Sequence, residues 1–192
     1  MRRPPLVVVL VAVAVIALGE ASGAVIGALR PAVARWAAAQ VAARPQAHGF
    51  TGSAEYDDEV RDRAVFATEA GLSFLHTHAE GMGLVAFFAS TLVASMVAHR
   101  RLRALLYGLL TAGALFPVGY LVYAVAVLTR GREDGIALAE TWVLTPLGVA
   151  AILGLAGLAV SLMWGAPTWP PTPPIRSEAP RHSRGAPRPP NS

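Results

Sequence analysis

The sequence predicts an all-α membrane protein, a four-helix transmembrane bundle with both termini on the cytoplasmic side. Three observations predict this class. Hydrophobic residues make up 54% of the 192 residues and only 15% are charged, against about 25% charged in a soluble domain. The apolar residues come in blocks of roughly 20, the length of a helix that crosses a bilayer. The arginines lie between or beyond these blocks, and they are concentrated in every second connection along the chain.

Residues 1–29 form the first block. A short basic segment leads into an apolar run from Leu6 to Leu29, in which Glu20 is the one charged residue. The run predicts transmembrane helix 1, which could serve as a signal anchor. A cleaved signal peptide is the alternative. We favour a retained helix, because the apolar run continues beyond Gly23 and a cleaved signal would not need that extension.

Residues 30–80 are the longest polar part and are predicted to be an extracytoplasmic segment with helices. We expect a short helix over 32–43, lying at the membrane interface, and a loop over 45–53. Asp57 opens a further helix, because acidic residues suit the positive end of a helix dipole. That helix could run directly into the next span.

Residues 81–164 are predicted to hold transmembrane helices 2 to 4, over 81–98, 104–129 and 141–164. Pro117 lies near the middle of the third and is expected to kink it, because a proline frees a backbone carbonyl.

Residues 165–192 predict a disordered, Pro/Arg-rich cytoplasmic tail. They hold nine of the fifteen prolines and four arginines.

Arginine placement predicts the orientation. Arg2 and Arg3 precede the first span, three arginines separate the second and third spans, and four lie in the tail, whereas the other two connections are balanced or acidic. Basic segments near span ends stay in the cytoplasm, so residues 30–80 and the loop 130–140 are expected outside. All 16 basic residues are arginine, which suggests a GC-rich bacterial genome. The expected location is therefore a bacterial plasma (inner) membrane, with a multi-pass chain.

Ionisable residues crowd where the second span begins. His76 and Glu80 are four residues apart and share a helix face, and Glu69 lies two turns earlier on that face. His78 points about 160° away if the segment is helical, so the two imidazoles cannot both bind one ion from a regular helix. A ligating imidazole needs a carboxylate or carbonyl on its second nitrogen, which Glu69 or Glu80 could supply.

Three further polar residues are predicted inside the membrane. Glu20 and Tyr120 are expected at similar depth, and Tyr123 one turn higher. A carboxylate within a span is costly and usually faces a partner or a cavity, so Glu20 is a functional candidate with Arg30 or a histidine as its partner. The tyrosines fit belt or packing positions. His48 and His182 are expected to be incidental.

Residues 75–98 resemble the haem-binding helix of haem–copper oxidase subunit I-like membrane proteins, and small bacterial membrane proteins with an H-x-H at a helix start. The resemblance is carried by residues 75–84, Leu-His-Thr-His-Ala-Glu-Gly-Met-Gly-Leu, and the apolar helix that follows. It implies that His76 or His78 is an axial ligand of haem b. The third and fourth spans hold no histidine, so a second axial ligand would come from His48, from the other member of the pair, or from a second copy of the chain.

These features favour three roles. The first is haem or divalent-metal binding at the outer face, in an accessory or electron-transfer-related subunit. The second is an oligomeric transport or channel component that uses Glu20, Tyr120 and the Pro117 kink. The third is a structural membrane subunit that packs through the small residues of the first and fourth spans. The expected partners are the lipid bilayer and either further copies of this chain or a larger membrane complex.

Several classes are excluded or disfavoured. The absence of cysteine excludes disulfides, thiolate metal sites and cysteine nucleophiles. The chain has no nucleophile elbow, P-loop, dinucleotide glycine fingerprint or H-E-x-x-H motif, so a non-enzymatic role is favoured. Nucleic acid is not an expected partner, because no basic face interleaved with aromatic residues is present.

Overall fold

The computed structural model describes residues 3–164, so Arg2 and the predicted tail over 165–192 lie outside the described residues. Within this range all the regular structure is helical, which confirms the predicted all-α class. A π-helical segment over Glu140–Leu144 joins the last two α-helices. The six α-helices are α1 (Leu6–Ala42), α2 (Ala54–Met96), α3 (Arg100–Ala114), α4 (Val118–Arg130), α5 (Arg132–Ala139) and α6 (Thr145–Trp164).

Four helical segments are long and apolar enough to cross a membrane, as the sequence predicts: Leu6–Ala42, Ala54–Met96, Arg100–Arg130 and Arg132–Trp164. The third combines α3 and α4, which are separated by a turn over residues 115–117. Pro117, which was predicted to kink the third span, is the last residue of this turn and is buried. The amide nitrogens of Leu115 and Phe116 make short i→i−3 bonds at the end of α3, which use carbonyls that a helix end would otherwise leave unpaired.

The first two helices are longer than a bilayer requires. α1 has 37 residues and α2 has 43, about 55 and 65 Å at 1.5 Å per residue. A separate interfacial helix over 32–43 is not seen, because α1 continues through Pro31. Its continuation buries Ala37 and Val41, and this packing offsets the backbone bond that the proline removes. The prediction that the helix opened near Asp57 continues into the second span is confirmed.

Small residues bring α1 and α2 close together in an antiparallel pair. A Cβ atom added at Gly19 would lie 2.8 Å from Cβ of Ala79, and one added at Gly83 would lie 2.9 Å from the carbonyl oxygen of Ala12. Both distances are too short for a real side chain, so glycine is required at each position. We call this contact the α1–α2 seam.

The helices form an open array with α2 at its centre. α1 packs along α2, with smaller contacts to α3 and α4, and α6 packs mainly on α3. The α3–α6 contact is also close, since a Cβ atom at Gly113 would lie 2.6 Å from Cα of Ala151. Among the described residues α1 and α6 do not touch, so each leaves a long apolar side uncovered.

One end of the array carries a small capping structure, here called the distal end. The ends of α1 and α4, the start of α2 and the loop over residues 43–53 meet there. Phe50 of this loop packs on a buried cluster formed by Ala37, Val41, Ala64, Ala67, Val127 and Leu128. The opposite end carries the basic first turn of α3, with Arg100, Arg101 and Arg103.

His48 joins the loop to α4, which corrects the prediction that it is incidental. Its side chain is buried, and its Nε2 lies 3.3 Å from the carbonyl oxygen of Leu128. A carbonyl only accepts, so Nε2–H donates. The acceptor lies in the last turn of α4, where carbonyls lack partners within the helix. His48 therefore fastens the 43–53 loop to the end of α4.

Candidate functional site

His76 lies on the face of α2 that meets α1. Its Nδ1 is 3.0 Å from the carbonyl oxygen of Gly19 and 3.0 Å from Oε1 of Glu80. The carbonyl oxygen only accepts, so in the neutral ring the proton belongs on Nδ1 and is donated to Gly19. The carboxylate of Glu80 lies beside the same nitrogen at ion-pair distance. The lone pair on Nε2 then remains available. This is the arrangement by which proteins fix the tautomer of a ligating or proton-carrying imidazole.

Gly23 makes room for the His76 ring. A Cβ atom at Gly23 would lie 2.6 Å from both Nδ1 and Cε1 of His76. A Cβ atom added at Gly27, one helical turn further along α1, would have no atom within 4 Å. Gly19 and Gly23 thus face α2, whereas Gly27 faces open space.

The His76–Glu80 pair is half-buried at the edge of the seam. The side chain of His76 is 34% exposed and that of Glu80 is 38% exposed. The predicted i,i+4 relation between them is confirmed by the distance between the imidazole and the carboxylate. The pair therefore lies at the partly exposed edge of the α1–α2 contact.

Glu69 lies on the same face of α2 but serves a different contact. Its Oε2 is 3.3 Å from a guanidinium nitrogen of Arg30, and its side chain is only 19% exposed. This ion pair joins α1 to α2 about two helical turns from His76. The predicted support of the imidazole thus comes from Glu80, and Arg30 pairs with Glu69 rather than with Glu20.

His78 points away from His76, as the helical spacing predicts. Its Nδ1 lies 3.0 Å from the carbonyl oxygen of Phe74 on its own helix. The imidazole packs among aromatic rings, with centroid distances of 4.9 Å to Tyr120 and 5.9 Å to Phe116. His78 therefore belongs to an aromatic contact between α2 and α4.

The three predicted intramembrane residues lie in different surroundings. Glu20 is exposed on α1. Tyr120 packs on a buried cluster that includes Leu75, and Tyr123 lies against Gly71, where an added Cβ atom would be 2.7 Å from its ring. The tyrosines therefore serve helix packing, and they do not line a common path with Glu20.

The donors of a single chain are too few for a closed metal site. Within residues 3–164 no three His, Asp or Glu side chains are close enough to hold a metal ion together. His76 and Glu80 bring one nitrogen and one carboxylate. Zinc takes four ligands in structural sites and three protein ligands in catalytic sites, and a six-coordinate haem takes two axial ligands. Further donors would have to come from another molecule.

Comparisons with family models, curated proteins and solved structures found no match to this chain. The resemblance of residues 75–98 to the haem-binding helix therefore stays a prediction, and the functional assignment depends on the geometry of the site.

Proposed function

We propose that this chain is a multi-pass membrane protein that binds haem b or a divalent metal through His76, as an accessory or electron-transfer-related subunit. The observation that carries the proposal is the double contact of Nδ1 with Gly19 and Glu80. These two contacts hold the half-exposed imidazole in one orientation, so Nε2 is presented in a fixed direction. Glu80 lies beside Nδ1, the ring nitrogen that a carboxylate holds in many ligating histidines.

The proposed orientation puts both termini in the cytoplasm and the distal end outside, in a bacterial plasma membrane. Support comes from the basic turn at Arg100, Arg101 and Arg103, which lies at the end of the array opposite the 43–53 loop. Four crossing segments return the chain to the side on which it began. His76 then lies in the outer half of the membrane.

We propose that a second copy of the chain completes the site. One chain supplies the His76 imidazole, and two chains related by a two-fold axis supply two imidazoles, each beside its own Glu80. Glu20 is exposed on the same helix as Gly19. Its exposure supports a partner chain that covers this flank of α1. A carboxylate that faces lipid near the membrane centre costs roughly 3 kcal/mol on insertion scales, and a partner chain removes that cost. A bound haem would supply electron transfer, and a bound metal would supply Lewis acidity.

The test is the absorption spectrum and metal content of protein purified in detergent from a host replete with haem and metals. We expect a Soret band or bound metal in the wild type, and its loss in His76→Ala. The matched control is His78→Ala, which removes the neighbouring imidazole from an aromatic contact and should retain the ligand. A wild type without a Soret band and without metal contradicts the proposal, as does equal loss in both folded variants.

The α1–α2 seam favours a second function, that of a purely structural subunit. In that role the His76–Gly19 contact is a clamp between two helices, and small residues such as Gly19 and Gly83 let α1 approach closely. Replacing His76 by Gln, whose side chain can also donate to a carbonyl, distinguishes the two. A structural subunit retains its thermal stability and assembly in that variant, and a ligand-binding subunit loses its ligand.

A further inference from the structure

A groove opens at the distal end beside the turn between α4 and α5, apart from the His76 site. Its volume is about 590 Å³. It is bounded by the end of α4, one face of α5 and the π-helical segment. The lining residues are Arg130, Asp134, Ala137, Leu138, Thr141 and Trp142.

The groove presents one positive and one negative charge. Arg130 is the last residue of α4, and Asp134 is in the first turn of α5. Both are exposed. In the part of the chain that the structure describes, no ion pair within 4 Å joins Arg130 or Asp134 to any side chain. The two charges are therefore presented separately, on the wall of one groove.

The position of this groove relative to the bilayer rests on the membrane placement proposed above. In that placement, the groove lies where two spans leave the membrane. Arg130 closes the third membrane-crossing segment, and Trp142 precedes the apolar part of the fourth. Trp142 is 76% exposed, and tryptophan prefers the boundary between lipid and water. It belongs to the π-helical segment, a rare geometry that is frequent at functional sites.

We propose that this groove binds the headgroup of a phospholipid that carries phosphoethanolamine. The guanidinium of Arg130 binds the phosphate, because arginine makes strong charge-assisted bonds to phosphate oxygens. The carboxylate of Asp134 accepts a hydrogen bond from the primary ammonium. Trp142 and Leu138 contact the upper part of the acyl chains. A choline headgroup has no N–H to donate, and a glycerol headgroup has no cation, so Asp134 discriminates against both.

The experiment is native mass spectrometry of the full chain, released from detergent with equal amounts of phosphatidylethanolamine, phosphatidylcholine and phosphatidylglycerol. We expect phosphatidylethanolamine to be retained about tenfold better than the other two, the ratio expected from one charge-assisted hydrogen bond. Asp134→Asn should abolish this preference, and Arg130→Gln should reduce retention of all three lipids.

The matched controls are Glu55→Gln and Arg35→Gln, an exposed carboxylate and an exposed guanidinium that line neither this groove nor the second cavity beside Arg130 and Asp134. Both should keep the wild-type preference. Equal retention of the three lipids by the wild type overturns the proposal, as does an unchanged preference in Asp134→Asn. Soluble glycerophosphoethanolamine should compete poorly, and competition as strong as that of the lipid would identify a soluble ligand and overturn the lipid assignment.

Discussion

The imidazole Nδ1 of His76 lies 3.0 Å from the carbonyl oxygen of Gly19, across the α1–α2 seam. The contact joins residues 57 positions apart in the chain. It depends on two small residues, because Gly19 lets the helix backbones approach and Gly23 leaves space for the ring. The same contact orients the imidazole and fastens the first helix, so ligand binding and helix packing can be separated only by matched variants.

Replacing Gly23 by leucine should weaken the seam. The new side chain would overlap the His76 ring, and overpacking of this kind costs about 1–3 kcal/mol. We expect a lower Tm in detergent and loss of any ligand held by His76. Gly27→Leu is the control, because an added Cβ atom there meets nothing within 4 Å. Equal destabilisation by the two variants would contradict the packing of His76 on Gly23.

Replacing His48 by alanine should release the 43–53 loop. The variant removes the hydrogen bond to Leu128 and leaves that carbonyl without its partner, which costs about 1–3 kcal/mol when the group is buried. We expect faster hydrogen exchange and faster proteolysis within the loop. His99→Ala, at an exposed position near α3, is the control and should leave the loop unchanged. A protected loop in His48→Ala would show that the hydrogen bond does not hold it.

Gly131 should tolerate no side chain. Its φ is +90°, a conformation that residues with a Cβ atom rarely adopt, and an added Cβ would overlap the carbonyl oxygen of Ala47. Gly131→Ala should therefore destabilise the distal end by about 1–3 kcal/mol. The control is Gly108→Ala, at an open position within α3, which should be neutral or stabilising because alanine is the better helix former. The measurement is the Tm of each variant in thermal unfolding, compared with that of the wild type.

The proposed orientation predicts which positions react outside the cell. The chain has no cysteine, so single cysteines can be introduced without removing others. Ala54→Cys, at the start of α2, should react with an impermeant maleimide in intact cells. Ala98→Cys, in the turn before α3, should react only after the membrane is opened. The reverse pattern would invert the topology and put His76 nearer the cytoplasm.

The local sequence pattern was sufficient to predict the features that follow from helix geometry. The number of helical segments long and apolar enough to cross a membrane follows from block length, and the divergence of His76 and His78 follows from 3.6 residues per turn. The i,i+4 pairing of His76 with Glu80 follows from the same spacing. None of these depends on how the helices pack.

Contacts between distant parts of the chain could not be predicted from pattern. The Arg30–Glu69 pair spans 39 positions and the His48–Leu128 bond spans 80. Each depends on which helix faces which, and a single sequence does not show that. The continuation of α1 through Pro31 has the same origin, because burial of Ala37 and Val41 against neighbouring helices outweighs the local effect of the proline.

The ratio of bound ligand to chain is the most direct test of the central claim that His76 forms a site shared by two copies. It is measured as haem or metal content per chain, by absorption and elemental analysis, on protein whose oligomeric state is determined by light scattering. We predict one ligand for every two chains in a dimer, and none in His76→Ala. A ligand bound one per chain to a monomer, or a ligand retained without His76, would contradict the account.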